Sequence, residues 1–362
     1  MKEGWEIKQL GDVCDIYQPT TIAKKEMIPD GNYNVFGANG IIGKYDKFNH
    51  KESELLITCR GATCGSVNIS LPYSWINGNA MVVRPKTEHL KRNYLEYLFR
   101  GGIEISKIIT GAAQPQITRQ SLSPILIPIP PPDEQKRIVA KLDKVFEAID
   151  KARTNVGKNL QNAKELFQSK NNDIFQQIEN TVDSISLPSV CDEIFAGGDA
   201  PKNNYSKEKT DKYNIPIFAN AVKSNGLYGY TNIIRASKPS ITIAARGSGT
   251  GHTEIRYEPF YPIVRLIVIT PNIDIVNLEF LKYSIQNFEI IRSGSAIPQL
   301  TVPMIKGYSL LLPKLNEQKL IVNKLDELKS QTQALEYNYQ QELEALDELK
   351  KSILQKAFEG EL

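Results

Sequence analysis

Two junctions written almost alike constrain this chain more than any other feature. The first is PPPDEQKRIVAKLD at 130–143, and the second is PKLNEQKLIVNKLD at 313–326. Both keep Glu-Gln-Lys, Ile-Val and Lys-Leu-Asp, and Glu134 and Glu317 stand 183 positions apart. At each, a run rich in proline and branched apolar residues stops and a long helical pattern begins. Further matches keep the same order. Val13-Cys14-Asp15 recurs at Val190-Cys191-Asp192, Phe36 at Phe218, and Gly40 at Gly226. Arg60-Gly61 recurs at Arg246-Gly247, Gly65 at Gly251, and Pro115-Gln116 at Pro298-Gln299. The spacing drifts while the order holds, so the chain reads as one unit duplicated, with loop insertions between the copies.

A chain of 362 residues is long enough for two or three domains, and each half can bury a core of its own. The boundaries fall at the junctions: a globular copy at 1–132, a helix at 133–180, a second copy at 181–315 and a second helix at 316–362. No stretch reaches 18 consecutive apolar residues, and the opening MKEGWEIKQL lacks the apolar core of a secretory signal. A cytoplasmic protein without membrane contact is expected. The four cysteines, Cys14, Cys59, Cys64 and Cys191, lack zinc-site spacing and are expected to be reduced thiols.

Each copy is expected to be β-rich with a little helix, an α/β (α+β) fold. ELLITC (54–59) and SITIAA (240–245) suit buried strands that end at glycine turns. MVVRP (81–85) and IVRLIVITP (263–271) read as further strands, and ILIPIP and YSLLLP as the last in each copy. Asp133 and Asn316 sit where an N-cap belongs. Beyond them, Leu142, Val145, Ile149, Ala152, Val156, Ala163 and Leu166 follow an alternating three–four spacing broken at Asn159. So do Leu325, Leu328, Leu335, Tyr339, Leu346, Leu349 and Ile353, with breaks at Thr332 and Glu342. That is a coiled-coil seam on rods of roughly 60 Å, at about 1.5 Å per residue. A lone rod with an apolar stripe is unstable in water, so each needs a partner. An antiparallel pair would carry a globular copy at each end, related by a pseudo-twofold axis.

Catalytic chemistry is absent from the sequence. It has no glycine-rich phosphate loop ending in Lys-Ser/Thr, no Asp/Asn-Pro-Pro-aromatic tetrad of amino-methylating enzymes, and only three scattered histidines. Two related loop-rich domains on a fixed spacer suit a two-fold ligand, and duplex DNA is the obvious one. The net charge of +3 is small for a free-standing DNA binder, so a partner is expected to supply part of the phosphate grip. Arg60 and Arg246 lie in matched glycine turns, where arginine can grip a phosphate or a guanine edge. Lys44, Tyr45, Tyr228 and Tyr230 lie in the glycine-rich stretches after Phe36 and Phe218, and suit backbone or base contact. Ser66, Asn77 and Asn79 in the first copy, with Ser248, His252 and Arg256 in the second, are polar groups able to read base edges. Gln116 and Gln299 match between copies. Readers of different half-sites should differ, so matched residues are assigned structural or backbone work, a point that also favours phosphate contact for the two arginines. A scaffold that joins proteins through its helices without reading DNA is the alternative.

With Trp5, Leu10-Gly11-Asp12-Val13, the repeated junction, the two Pro-Gln pairs and the terminal KKSILQKAFEGEL, the whole chain resembles the specificity subunit of a type I restriction–modification system. The resemblance implies two target recognition domains, each reading one half of a split, asymmetric DNA sequence. It implies long helices that space these domains and dock two methyltransferase subunits. Those partners, not this chain, would hold S-adenosylmethionine and methylate adenine, and translocating nuclease subunits can join such complexes. The junctions, nearly identical in both copies, are expected to lie close to the identical partners rather than to DNA.

Overall fold

Branched runs ended by glycine or proline form the buried strands of this chain. The computed structural model describes residues 3–111, 114–179, 181–221, 223–247, 249–288 and 299–362, in a mixed α/β fold. It divides into two compact units, residues 1–158 with 340–362, and residues 159–339.

In the first unit, strands Cys14–Tyr17, Ala80–Pro85, Leu55–Thr58 and Val67–Ile69 lie side by side in that order, all antiparallel. A second sheet sets Gly40–Tyr45 against Tyr33–Gly37, which pairs in parallel with Trp75–Ile76. A third, two-stranded sheet joins Glu6–Gln9 to Leu126–Ile129. The second unit repeats the plan. Cys191–Ala196, Ile267–Pro271, Ser240–Ile243 and Thr253–Arg256 take the same order in an antiparallel sheet. Leu227–Thr231 pairs with Ile215–Phe218, which runs parallel to Tyr261–Pro262, and Ser184–Ser186 pairs with Ser309–Leu311. The second unit adds the edge strand Tyr205–Ser206, which has no counterpart among the described residues of the first. Agreement of strand order and direction across the units supports the duplication read from the sequence.

Long helices span Pro132–Glu179 and Leu315–Glu359. The first starts one residue before Asp133, because Pro131 already takes the N–H of Gln135 at 3.0 Å. Pro132 is thus the first helical residue, where its fixed φ and missing N–H cost nothing. In the second helix Glu317 accepts the N–H of Lys314 at 3.1 Å and covers a donor at the helix start.

The shared junction sequence has an internal reason. Gln135 and Gln318 are wholly buried, as are Leu142 and Leu325. Gln135 donates to His89 and Pro130 and accepts from Lys91, and Gln318 donates to Ile275 and Pro313 and accepts from Asn277. The aspartates that close both motifs accept tyrosine hydroxyls, Tyr97 on Asp143 and Tyr283 on Asp326. The near-identity, expected to mark a surface shown to partners, rests at Gln, Leu and Asp on packing within each unit.

The helical seam departs from its expected outline. Leu335 and Leu349 are exposed. Towards the C-terminus, Leu354, Ala357 and Phe358 are buried instead, in the same core as Trp5, Tyr94 and Leu98. Phe358 packs edge-on to Tyr94 with ring centres 5.5 Å apart. A Cβ on Gly102 would collide with the Phe358 ring, so this glycine lets the helix end approach.

Candidate nucleic-acid interface

Each unit presents one glycine turn built to a common pattern. In the first unit, strand Leu55–Thr58 leads into Cys59-Arg60-Gly61 and returns through Gly65-Ser66 to Val67–Ile69. The N–H of Thr58 reaches Ser66 and that of Gly65 reaches Thr58, both at 2.8 Å. Gly61 and Gly65 have φ of +89° and +92°, values that favour glycine. Ile117 N–H bonds to Cys59 at 3.0 Å, and Gly61 N–H to Pro115 at 3.1 Å. A third segment joins where Cys59 N–H meets Asn79 at 3.1 Å. The exposed Arg60 therefore stands between the Pro-Gln segment and the Asn79 turn.

Three of these bonds recur in the second unit, while Ala245 N–H, the counterpart of Cys59 N–H, donates to Asn220 Oδ1 instead. Ala244 N–H reaches His252 and Gly251 N–H reaches Ala244, both at 2.9 Å, and Leu300 N–H reaches Ala245 at 2.8 Å. Gly247 and Gly251 have φ of +81° and +91°. Here the exposed arginine is held: Arg246 donates to Gln299 Oε1 at 3.0 Å. Asn220 supports it from below, donating to the Arg246 carbonyl at 2.8 Å and accepting the Arg246 N–H at 3.2 Å.

Arg60, Ser66 and Asn79 thus gather about one turn, and Arg246 and His252 about the other. His252 Nε2 lies 3.1 Å from Glu254, whose other oxygen is 3.8 Å from Lys282. Burial pulls the Lys282 ammonium below the usual lysine range, and the Glu254 carboxylate opposes that shift. Ser248 and Pro298 lie outside the described residues. Lys44 and Tyr45 sit at the other end of their hairpin, opposite Asn34 and Tyr33. The hairpin turn docks instead on the first sheet, through Thr58 Oγ1 on the Ala38 carbonyl at 2.6 Å. Five strand residues, about 17 Å, separate the two ends. Tyr45 stands edge-on to Trp75 there.

Two of the chosen residues are committed internally. Asn77 is buried, accepting the N–H of Ile22 at 3.0 Å and donating to the Ile22 carbonyl at 3.3 Å. The Arg256 guanidinium lies 3.7 Å over the Phe218 ring and bonds to Thr242 and Asn225. Burial lowers its proton affinity from the usual arginine value. Tyr228 and Tyr230 are half-buried on strand Leu227–Thr231. Tyr228 carries Lys207 at 4.0 Å over its ring, a cation the sequence reading passed over.

The clearest omission is Arg265. IVRLIVITP reads as one strand, but the strand is only Ile267–Pro271, and Val264 and Arg265 form an exposed turn with φ of +47° and +62°. A β-branched residue there is strained, at about 1–3 kcal/mol per residue. Its apolar flanks hid it, since Pro262 precedes the turn and no glycine or asparagine lies within it.

Among the described residues no group of three or more His, Cys, Asp or Glu could hold a metal ion, and no helix is long and apolar enough to cross a membrane.

The profile of the type I restriction modification DNA specificity domain matches residues 2–157 and 164–345. A Mycoplasma pneumoniae chain named as a type I specificity subunit is 24% identical over 326 residues, covering 88% of each chain. Another from the same organism is 33% identical over 144 residues, 40% of this chain and 42% of the relative. A Methanocaldococcus jannaschii chain named as the MjaX type I restriction enzyme specificity subunit is 23% identical and covers 99% of this chain and 94% of its own. Among solved structures, a chain from a study of complex assembly and conformational transition in a type I R-M system superposes with a TM-score of 0.81 at 21% identity. It covers 100% of this chain and 99% of its own. The HsdS subunit of Thermoanaerobacter tengcongensis gives a TM-score of 0.63 at 22% identity, covering 100% and 98%. At these identities the structural likeness speaks for the fold.

Proposed function

Because the chain belongs to the type I restriction–modification DNA specificity family, we propose that its two units each read one half of a bipartite, asymmetric DNA sequence. One observation carries this reading. The same fold presents an arginine on a glycine turn in both units, while the residues around the turn differ: Ser66 answers to His252 and Asn79 to Arg265. A common grip on phosphate with different neighbours suits two related readers of unlike half-sites. A scaffold that does not read DNA leaves the paired turns unexplained.

The long helices would pair as an antiparallel coiled coil about a pseudo-twofold axis and set the distance between half-sites. Support comes from within the first unit, where Asp150 pairs with Lys350 at 3.2 Å and Arg153 pairs with Asp347. Position numbers rise along one helix as they fall along the other. Two methyltransferase subunits would dock on this spacer and bring S-adenosylmethionine for adenine methylation, and nuclease subunits could join them. This chain's own part is to bind and position DNA.

Modified-base sequencing of cells carrying this gene and its methyltransferase gene tests the reading. Methylated adenine should occur at one split sequence, and only when this chain is present. Methylation that does not depend on the chain would contradict it.

A further inference from the structure

We infer that the Val264–Arg265 tip is a specificity-determining element of the second unit, with Arg265 contacting a base edge. The inference rests on the proposal that the units read DNA.

The tip has a counterpart in the first unit. Asn77 N–H bonds to Phe36 at 2.9 Å, and Ile263 N–H bonds to the matching Phe218 at 2.8 Å. Ala80 N–H closes on Asn77 at 3.0 Å, and Leu266 N–H closes on Ile263 at 3.2 Å. Val264 thus stands where the first unit has Gly78, and Arg265 where it has Asn79. In the first unit the glycine is required, because a Cβ on Gly78 would lie 2.6 Å from the Pro19 carbonyl. In the second unit a valine takes that place at φ +47° with 58% of its surface exposed. Core packing therefore does not explain it.

The backbone is pinned in this unfavourable shape. Val264 N–H bonds to Gly198 at 2.8 Å and Arg265 N–H to Gly197 at 3.1 Å. A Cβ on Gly197 would come within 2.7 Å of Pro262, so the clamp depends on that glycine. The fold thus holds an apolar and a cationic side chain out in solvent at a backbone cost.

The location fits a reader. The strand pair ends at Ile243↔Ile267, and Ala245, which precedes Arg246, and Arg265 each lie two residues beyond it. In the first unit Cys59 bonds directly to Asn79, whereas the matching Ala245 N–H goes to Asn220 and leaves the Arg265 carbonyl out of that bond. Arg246 is tied to Gln299 and matched by Arg60, as befits a contact common to both half-sites. Arg265 has asparagine as its counterpart, as befits a contact that distinguishes them. Arginine offers two parallel donors to guanine O6 and N7, and valine offers an apolar surface to a thymine methyl.

The test uses the assembled complex of this chain with its methyltransferase, and duplexes carrying the mapped methylation motif with single base-pair changes. Arg265→Ala should weaken cognate binding roughly tenfold and flatten discrimination at one or two pairs of one half-site, leaving the other half intact. Arg265→Lys should keep the charge without restoring discrimination. Val264→Gly, which relieves the backbone, should keep or raise the thermal midpoint while reducing discrimination beside the same pairs. Uniform weakening by Arg265→Ala at every sequence would overturn the inference, leaving a phosphate contact only. So would unchanged discrimination. Failure of the wild-type complex to discriminate any sequence would instead overturn the DNA-reading proposal itself.

Discussion

Gln135 accepts the main-chain N–H of Lys91 on its carboxamide oxygen at 2.8 Å, from a side chain with no exposed surface. Lys91 precedes the helix Arg92–Tyr97, so this bond ties the first turn of the long helix to the start of a second helix in the first unit. Gln318 and Asn277 make the same bond at 2.7 Å in the second unit. Each glutamine also serves two carbonyls. Gln135→Leu keeps the approximate volume but strands one donor and two acceptors. A loss of about 3 kcal/mol is expected, and Gln318→Leu should cost a similar amount in its own unit. Denaturant unfolding of each variant measures this, and a change under about 0.5 kcal/mol would count against the clamp.

The end of the second long helix is expected to stabilise the first unit. Phe358 lies in that core, against Tyr94 and over Gly102. Phe358→Ala should cost about 3 kcal/mol through lost burial and the cavity left behind. Hydrogen exchange should show the loss in the core around Tyr94, and loss confined to the helix tip would contradict the packing.

Alkaline pH should weaken the fold through two matched cysteines. Burial pushes the thiols of Cys14 and Cys191 up to about 12. The unfolded chain releases these protons near pH 9, while the folded chain keeps them to about 12, so stability falls as pH rises through that window. Each thiol contributes up to about 1.4 kcal/mol per pH unit. Burial raises the phenols of Tyr94, Tyr97 and Tyr283 as well, which adds to the fall at higher pH. The stability gap between the wild type and Cys14→Ala should narrow by about 2 kcal/mol from pH 9 to 11. A constant gap would contradict the buried thiol.

Arg60→Ala and Arg246→Ala should each weaken DNA binding by the complex at all sequences and reduce the salt slope by about one. Gln299→Ala, which frees the Arg246 guanidinium from its 3.0 Å bond, should give a smaller loss in the same direction. Fluorescence anisotropy across a salt series separates these outcomes from a change in base preference.

The duplication, the buried strands and the long helices were legible because each is written in local pattern or repetition. Arg60 and Arg246 were legible as a pair, since both follow a buried strand and precede a glycine. What escaped depended on tertiary partners. Asn77 reads as a polar loop residue, and only the fold brings Ile22 to both ends of its amide. Arg256 reads as a free cation, and only the fold lays it over Phe218. The repeated Gln-Lys suggested a surface, yet the glutamine is wholly buried because carbonyls distant in sequence converge on it. Val264 and Arg265 were hidden by the apolar run that contains them.

The central claim is that each unit reads its own half-site, and exchange of one recognition domain tests it most directly. Residues 1–132 would be replaced by the matching segment of a family member with a different target, and methylated bases mapped in cells that also carry the methyltransferase. The account predicts a motif with one half changed, and the other half and its methylated adenine retained. An unchanged motif, or one altered in both halves, would contradict it.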